Sequence, residues 1–193
     1  MRVLRSFDVN RPGASADDIV GGVLGGAIIR GTIRIGDLID IGPGIPQQTK
    51  TGTQWNPITA NVKSLHSRQE QTAEAGRGGL VAVGTDLDPS LTRSNNLAGS
   101  VLSHAGGLPT ILNAAVVETH LFEDAVGVEK LAPGELVVLN VGTAVTPAKI
   151  VSMRGEHVNF AFERGVCAEV GDRIAISRRI AGNWRLAGFG LIA

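Results

Sequence analysis

Four histidines, His66, His104, His120 and His157, and a single cysteine, Cys167, are the side chains of this 193-residue chain best suited to metal ligation or nucleophilic attack. Their spacing argues against both. No two histidines stand at ligand spacing, and one thiolate cannot complete a tetrahedral site with them. Cys167 lies in "RGVCAEV", a strand-like run that suits a small core residue better than a nucleophile. A serine hydrolase would need an elbow such as G-x-S-x-G, which the sequence lacks.

Phosphate chemistry fares no better. The chain contains no G-x-x-x-x-G-K-[ST] loop. "GGVLGG" at 21–26 lacks the G-x-G-x-x-G spacing, and strand-like residues follow it where a dinucleotide site needs a helix. Trp55 and Trp184 could each stack a base, but a surface-packed anchor is the commoner role. The densest positive charge is Arg173, Arg178, Arg179 and Arg185, opposed locally by Asp172. Guanidinium groups in such a run can meet phosphates or the carboxylates of another domain, and a protein interface is the favoured reading.

The elements that hold these residues are short. Hydrophobic residues make up 43% and charged residues 19%, as in a globular protein. Eighteen basic side chains balance eighteen acidic ones, so attraction to nucleic acid or membrane must come from a local patch. One cysteine precludes an intrachain disulfide and fits a reducing compartment. No run of about eighteen apolar residues exists, and "MRVLRSFDVN" lacks the apolar core of a signal peptide, which favours an intracellular protein.

Glycine, at 26 residues, punctuates short runs rich in valine and isoleucine, a pattern that predicts an all-β protein. In "RVLRSFDVN", Val3, Leu4, Phe7 and Val9 are expected to share a buried face. In "IIRGTIRIGDLIDIGPG" (28–44), a three-residue loop at Arg34, Ile35 and Gly36 puts Gly36 in the left-handed conformation of a bulged hairpin turn. "QQTKTGTQWNP" reads as a long polar loop, and "ITANVKSLHS" as a strand with Ile58, Ala60, Val62 and Ser64 on one face. No amphipathic helix of about ten residues is apparent. With about six strands in each half, two small closed antiparallel β-barrels in tandem, over 1–97 and 98–193, are expected rather than one sandwich. Residues alone therefore lead to two barrels that act by binding.

Four stretches carry a resemblance. "RGTIRIGDLIDIGPG" looks like the hairpin of the second domain of translational GTPases. "RSFDVNRPG" (5–13), "GGLVAVGTDLDPSLTRSNNLAGSVL" (78–102) and "ISRRIAGNWRLAGFGLI" (176–192) narrow it. Together, in order and from end to end, they resemble the gamma subunit of archaeal and eukaryotic translation initiation factor 2. The chain resembles its second and third domains alone, without the GTP-binding domain and therefore without catalysis of its own. The nearest alternative is the same pair of domains from another translational GTPase, such as a selenocysteine-specific elongation factor.

The resemblance implies a cytoplasmic, non-catalytic part of a heterotrimeric, GTP-dependent factor that delivers initiator methionyl-tRNA to the small ribosomal subunit. GTP and Mg2+ would belong to the full-length protein and no cofactor to this chain. It implies that the tRNA acceptor end meets Lys63, His66, Arg77, Gly78, Gly79 and Leu80. Gly78 and Gly79 would admit a ribose, and Lys63 or Arg77 a phosphate. It implies docking of the alpha subunit at Asp8, Asn10, Arg11, Asp17 and Asp88, in the loops that set this family apart from elongation factors. Asp88, just before Pro89, also suits turn initiation. Arg178, Arg179 and Arg185 would contact the GTP domain or ribosomal RNA.

Overall fold

A computed structural model describes residues 1–13, 15, 18–50, 52–67, 70–122 and 130–193. It divides into two compact units, Met1–Leu108 and Pro109–Ala193. The first unit contains β1 (Arg2–Phe7), β2 (Val23–Ala27), β3 (Ile33–Arg34), β4 (Leu38–Thr49), β5 (Gly52–Ser67), β6 (Glu70–Gln71), β7 (Glu74–Ala75), β8 (Leu80–Thr85), a single helical turn α1 (Pro89–Thr92) and β9 (Val101–His104). The second contains β10 (Ile111–Leu121), β11 (Leu136–Val141), β12 (Ala144–Arg154), β13 (His157–Cys167), β14 (Arg173–Ile180) and β15 (Asn183–Ile192).

Each unit is a closed antiparallel barrel. In the first, the order β4-β9-β1-β2-β8-β5 closes through β4 and β5, with β6 appended to β5. In the second, the order is β10-β13-β12-β11-β14-β15. The boundary expected at 97/98 falls instead between Leu108 and Pro109. Hydrogen bonding explains the difference: β9 pairs with Ile39–Gly42 of β4 and with Arg2, so residues 101–104 complete the first barrel.

Two bulges decide which side chains enter the first core. The register of β1 on β2 slips between Val3 and Arg5, which reverses the strand's inward and outward sides. Val3 and Ser6 are therefore buried, whereas Leu4, Phe7 and Val9 are exposed, contrary to the alternation read from the sequence. Buried Ser6 is satisfied by the Leu97 N–H, which donates to its Oγ at 3.0 Å. A second slip, between Val62 and Ser64, acts on β5 against β8. It puts Val62 and Leu65 in the core at 1% and 0% exposure, and turns both Lys63 and His66 outward. The inward face thus continues at Leu65 instead of Ser64.

The 28–44 segment is half as expected. Gly36 has φ +92° and the Asp37 N–H donates to the Arg34 carbonyl at 3.2 Å, as the turn requires. The strands it joins do not pair with each other: β3 pairs with β7, and β4 with β5 and β9. The expected long polar loop is the end of a hairpin, since Ile45–Thr49 pair with Gly52–Asn56.

In the second barrel the two-residue period is plain. Thr146, Ala148 and Ile150 of β12 point inward, while Val145, Pro147 and Lys149 point out. Phe160, Leu139, Ile150, Ile174 and Ile176 fill the centre at 1% exposure or less. Cys167 is buried among strand residues. Among the described residues no helix is long and apolar enough to cross a membrane. Among them, too, no group of three or more His, Cys, Asp and Glu could hold a metal ion.

Candidate functional site

Bulged β5 borders two grooves on the first barrel. One, of about 930 Å³, is lined by Val9, Val20, Gly21, Lys63, Asp86 and Asp88 among others. The second, of about 570 Å³, is mostly apolar, with Leu4, Phe7, Gly25, His66, Leu80 and Ala82 on its walls. Lys63 and His66, three residues apart, could not both face outward on a regular strand. The bulge between them and the core makes it so.

The first groove has an organised polar wall, with Lys63, Ser64, Asp86 and Asp88 facing apolar Val9, Ile19, Val20 and Leu87. Asp86 accepts from the Asn61 backbone N–H and from Asn61 Nδ2, each at 2.7 Å. Lys63 Nζ stands 3.9 Å from Asp86 Oδ2, an exposed pair that adds charge balance and little stability. Asp88 caps α1, accepting from the Ser90 N–H at 2.8 Å. Thr92, fully buried, anchors that turn by donating to the Pro89 and Phe7 carbonyls.

The carboxylates are held in their charged forms. Asp86 is pushed below its ordinary 3.8, chiefly by the side-chain hydrogen bond from Asn61 and then by the backbone one. The Ser90 N–H does the same for Asp88, and the Asn10 N–H for Asp8. A folded pKa lower than the unfolded one gives stability that is present above 3.8 and lost as pH falls through the folded value. Urea unfolding of Asp86→Ala should therefore show a weaker protein than the parent at pH 6, with the gap closing as pH falls below 3.8.

Of the loop residues expected to dock a partner, Asp8 and Asn10 also tie the loop together. Asn10 donates through Nδ2 to Asp8 Oδ1 at 2.7 Å and to the Val20 carbonyl at 2.8 Å, while its Oδ1 accepts from the Val20 N–H. Both ends of the connection are thus pinned, and Arg11 is exposed beside Pro12, Gly13 and Asp18. Asp17 lies outside the described residues. Asn10→Ala should cost about 1 kcal/mol, read as a lower urea midpoint, since partly exposed hydrogen bonds contribute about that much net.

Sequence reasoning grouped Lys63, His66, Arg77, Gly78, Gly79 and Leu80. Of these, Lys63 faces the polar groove, His66 and Leu80 the apolar one, and Arg77, Gly78 and Gly79 form the exposed turn that leads into β8. Asp88 shares the polar groove with Lys63, although the sequence reading placed the two on different surfaces. Leu4, Phe7 and Asp86 were missed. Alternation assigns Phe7 to the core, and only the bulge reveals otherwise.

The arginine run separates into different roles. Arg178 donates through Nε and Nη2 to Glu135 at 2.5 and 3.0 Å, and the two side chains are 12% and 22% exposed. Arg173 lies over the Phe189 ring at 5.1 Å. Arg179 and Arg185 are exposed, with Arg179 opposite an exposed Trp184. Asp172 Oδ2 accepts from the Glu169 N–H at 3.0 Å.

Comparison with known proteins gives this surface a context. The family described as "Initiation factor eIF2 gamma, C terminal" matches residues 113–192, the second barrel. Across the whole chain, translation initiation factor 2 subunit gamma from Methanocaldococcus jannaschii is 44% identical, as are those from Thermococcus kodakarensis and Pyrococcus horikoshii. The chain belongs to the gamma-subunit family of translation initiation factor 2. It spans 48% of the length of those three gamma subunits. Among solved structures, translation elongation factor SelB from Methanococcus maripaludis in its apo form matches all of this chain and 42% of its own, at 24% identity and a TM-score of 0.70. A bacterial selenocysteine-specific elongation factor matches 98% of this chain and 27% of its own, at 18% identity and 0.68. These two share the fold. The alternative of a selenocysteine-specific factor therefore fits less well than the gamma subunit, which matches at the level of sequence.

Proposed function

We propose that this chain is the non-catalytic binding part of a GTP-dependent initiation factor, receiving the acceptor end of initiator methionyl-tRNA on its first barrel. The carrying observation is the β5 bulge, which turns Lys63 toward the polar wall of one groove and His66 toward a more apolar groove on the same strand. A methionyl ester has that duality: an apolar side chain beside a ribose and phosphates. Leu4, Phe7 and Leu80 suit the thioether side chain. Lys63 suits a phosphate, and the Gly78–Gly79 turn leaves the backbone open to a ribose.

The alpha subunit is proposed to dock on Arg11 and the loop that Asn10 pins, with Asp88 at its margin. Asp8 and Asn10 act there as supports. Arg179, Arg185 and Trp184 are proposed to face the GTP-binding domain, in which GTP and Mg2+ would sit, or RNA of the small ribosomal subunit. Arg178, committed to Glu135, is a structural member of that surface. The setting is cytoplasmic.

An acceptor-stem minihelix ending in a methionyl ester tests the reading by fluorescence anisotropy. Weak binding to the chain is expected, stronger than for the same minihelix without methionine, with no GTP hydrolysis by the chain alone. Equal affinity for the two minihelices would remove the apolar groove from the account.

A further inference from the structure

Beyond the barrel, β4 and β5 continue as a two-stranded ribbon with no other strand in its ladder among the described residues. The pairing of β4 with β9 ends at Gly42, and that of β5 with β8 begins at Val62. Between them Ile45–Thr49 pair only with Gly52–Asn56. Gly44, at φ +85°, fixes the root: a Cβ there would collide with the Asn56 carbonyl.

Cross-strand register sorts the ribbon's side chains into two faces. Ile45 opposes Asn56 and Gln47 opposes Gln54 on one face; Pro46 opposes Trp55 and Gln48 opposes Thr53 on the other. The first is exposed at all four positions and is dominated by amides. Asn56 Nδ2 donates to Gln47 Oε1 at 2.9 Å, which orders two of those amides in advance. Lys50 is exposed at the tip, and residues 45–57 contain no Asp or Glu in a chain with 18 acids.

We infer that this ribbon is a reader of double-helical RNA, laid into the minor groove. The chemistry selects that partner. Amides donate and accept, as do the 2′-hydroxyls and base edges in an RNA minor groove, which is wide and shallow enough for a thin β blade. The RNA major groove is too deep and narrow to admit it. An acid-free ribbon with a cationic tip meets the phosphate rims without repulsion. One exposed isoleucine on the amide face gives little for an apolar protein partner to bury.

Fluorescence anisotropy with a labelled RNA duplex of about 16 base pairs, the span that shape-reading double-stranded RNA domains cover, tests the inference on the full chain. Lys50→Glu, and separately Gln47→Ala with Gln54→Ala, should each weaken binding about tenfold, as loss of a charge-assisted or bidentate contact does. These positions are exposed, so unchanged thermal melting is expected. DNA of the same sequence should bind about tenfold more weakly, since it lacks the 2′-hydroxyl. Lys149→Glu, on the outer face of the second barrel, should leave duplex binding unchanged; the duplex carries no methionyl ester, so failure of the acceptor-end reading would leave the ribbon result intact. No duplex binding, equal affinity for DNA and RNA, or ribbon variants that bind like the parent would each overturn the inference. So would transfer of the ribbon-dependent binding to a protein subunit.

Discussion

Arg178→Ala should lower the stability of the second barrel by about 3 kcal/mol, at the low end for removing one partner of a buried ion pair. Arg179→Ala and Arg185→Ala should each stay within about 0.5 kcal/mol, as exposed substitutions do. Charge alone does not separate these arginines; surroundings do. Arg178 makes a two-pronged contact with Glu135, and both side chains are mostly withdrawn from water. Deleting the guanidinium leaves a carboxylate with its desolvation cost and no compensating cation. Urea unfolding of the three variants checks this. Equal losses would mean that the Glu135 contact contributes no more than the exposed positions.

The second large effect is on binding. Leu80→Asp should weaken the methionylated minihelix at least tenfold, because about 1.4 kcal/mol is a factor of ten and burying an apolar side chain contributes about that or more. Leu80 is 67% exposed on the wall of the apolar groove, so the barrel should fold normally with the substitution. Lys63→Glu should act differently. It reverses a charge at the polar groove beside Asp86, so methionylated and unmethionylated minihelices should weaken alike. Anisotropy titrations of both ligands against both variants separate the two contributions. Leu80→Asp losing the two ligands equally would deny the apolar groove its proposed occupant.

Much of the fold was legible because barrels are written in local chemistry. Glycine punctuating short valine- and isoleucine-rich runs marked the chain as all-β, and Gly36 marked its turn by a left-handed conformation that it adopts cheaply. What stayed hidden depended on register, which is a property of pairs of strands. "RVLRSF" and "NVKSLH" each contain a bulge, and a bulge is an agreement with a neighbouring strand that neither segment records. For this reason Phe7 was assigned to the core and Leu65 was not, while Lys63 and His66 were read as neighbours without their shared face. Val101–His104 were given to the wrong barrel for the same reason, since β4 and β1 claim them only in three dimensions. The arginines were visible as a run; Glu135, distant in sequence, was not visible as their divider.

The central claim is that the bulged strand β5 presents the receiving surface for an aminoacylated RNA end. Backbone amide NMR of the chain, titrated with the methionylated minihelix, addresses it most directly. The account predicts shifts gathered at Lys63, Ser64, His66, Leu80 and Asp86, beyond those that the duplex stem alone causes in the β4–β5 ribbon, with the second barrel unaffected. Shifts confined to the second barrel, or none around Lys63 and Leu80 at saturating ligand, would contradict it.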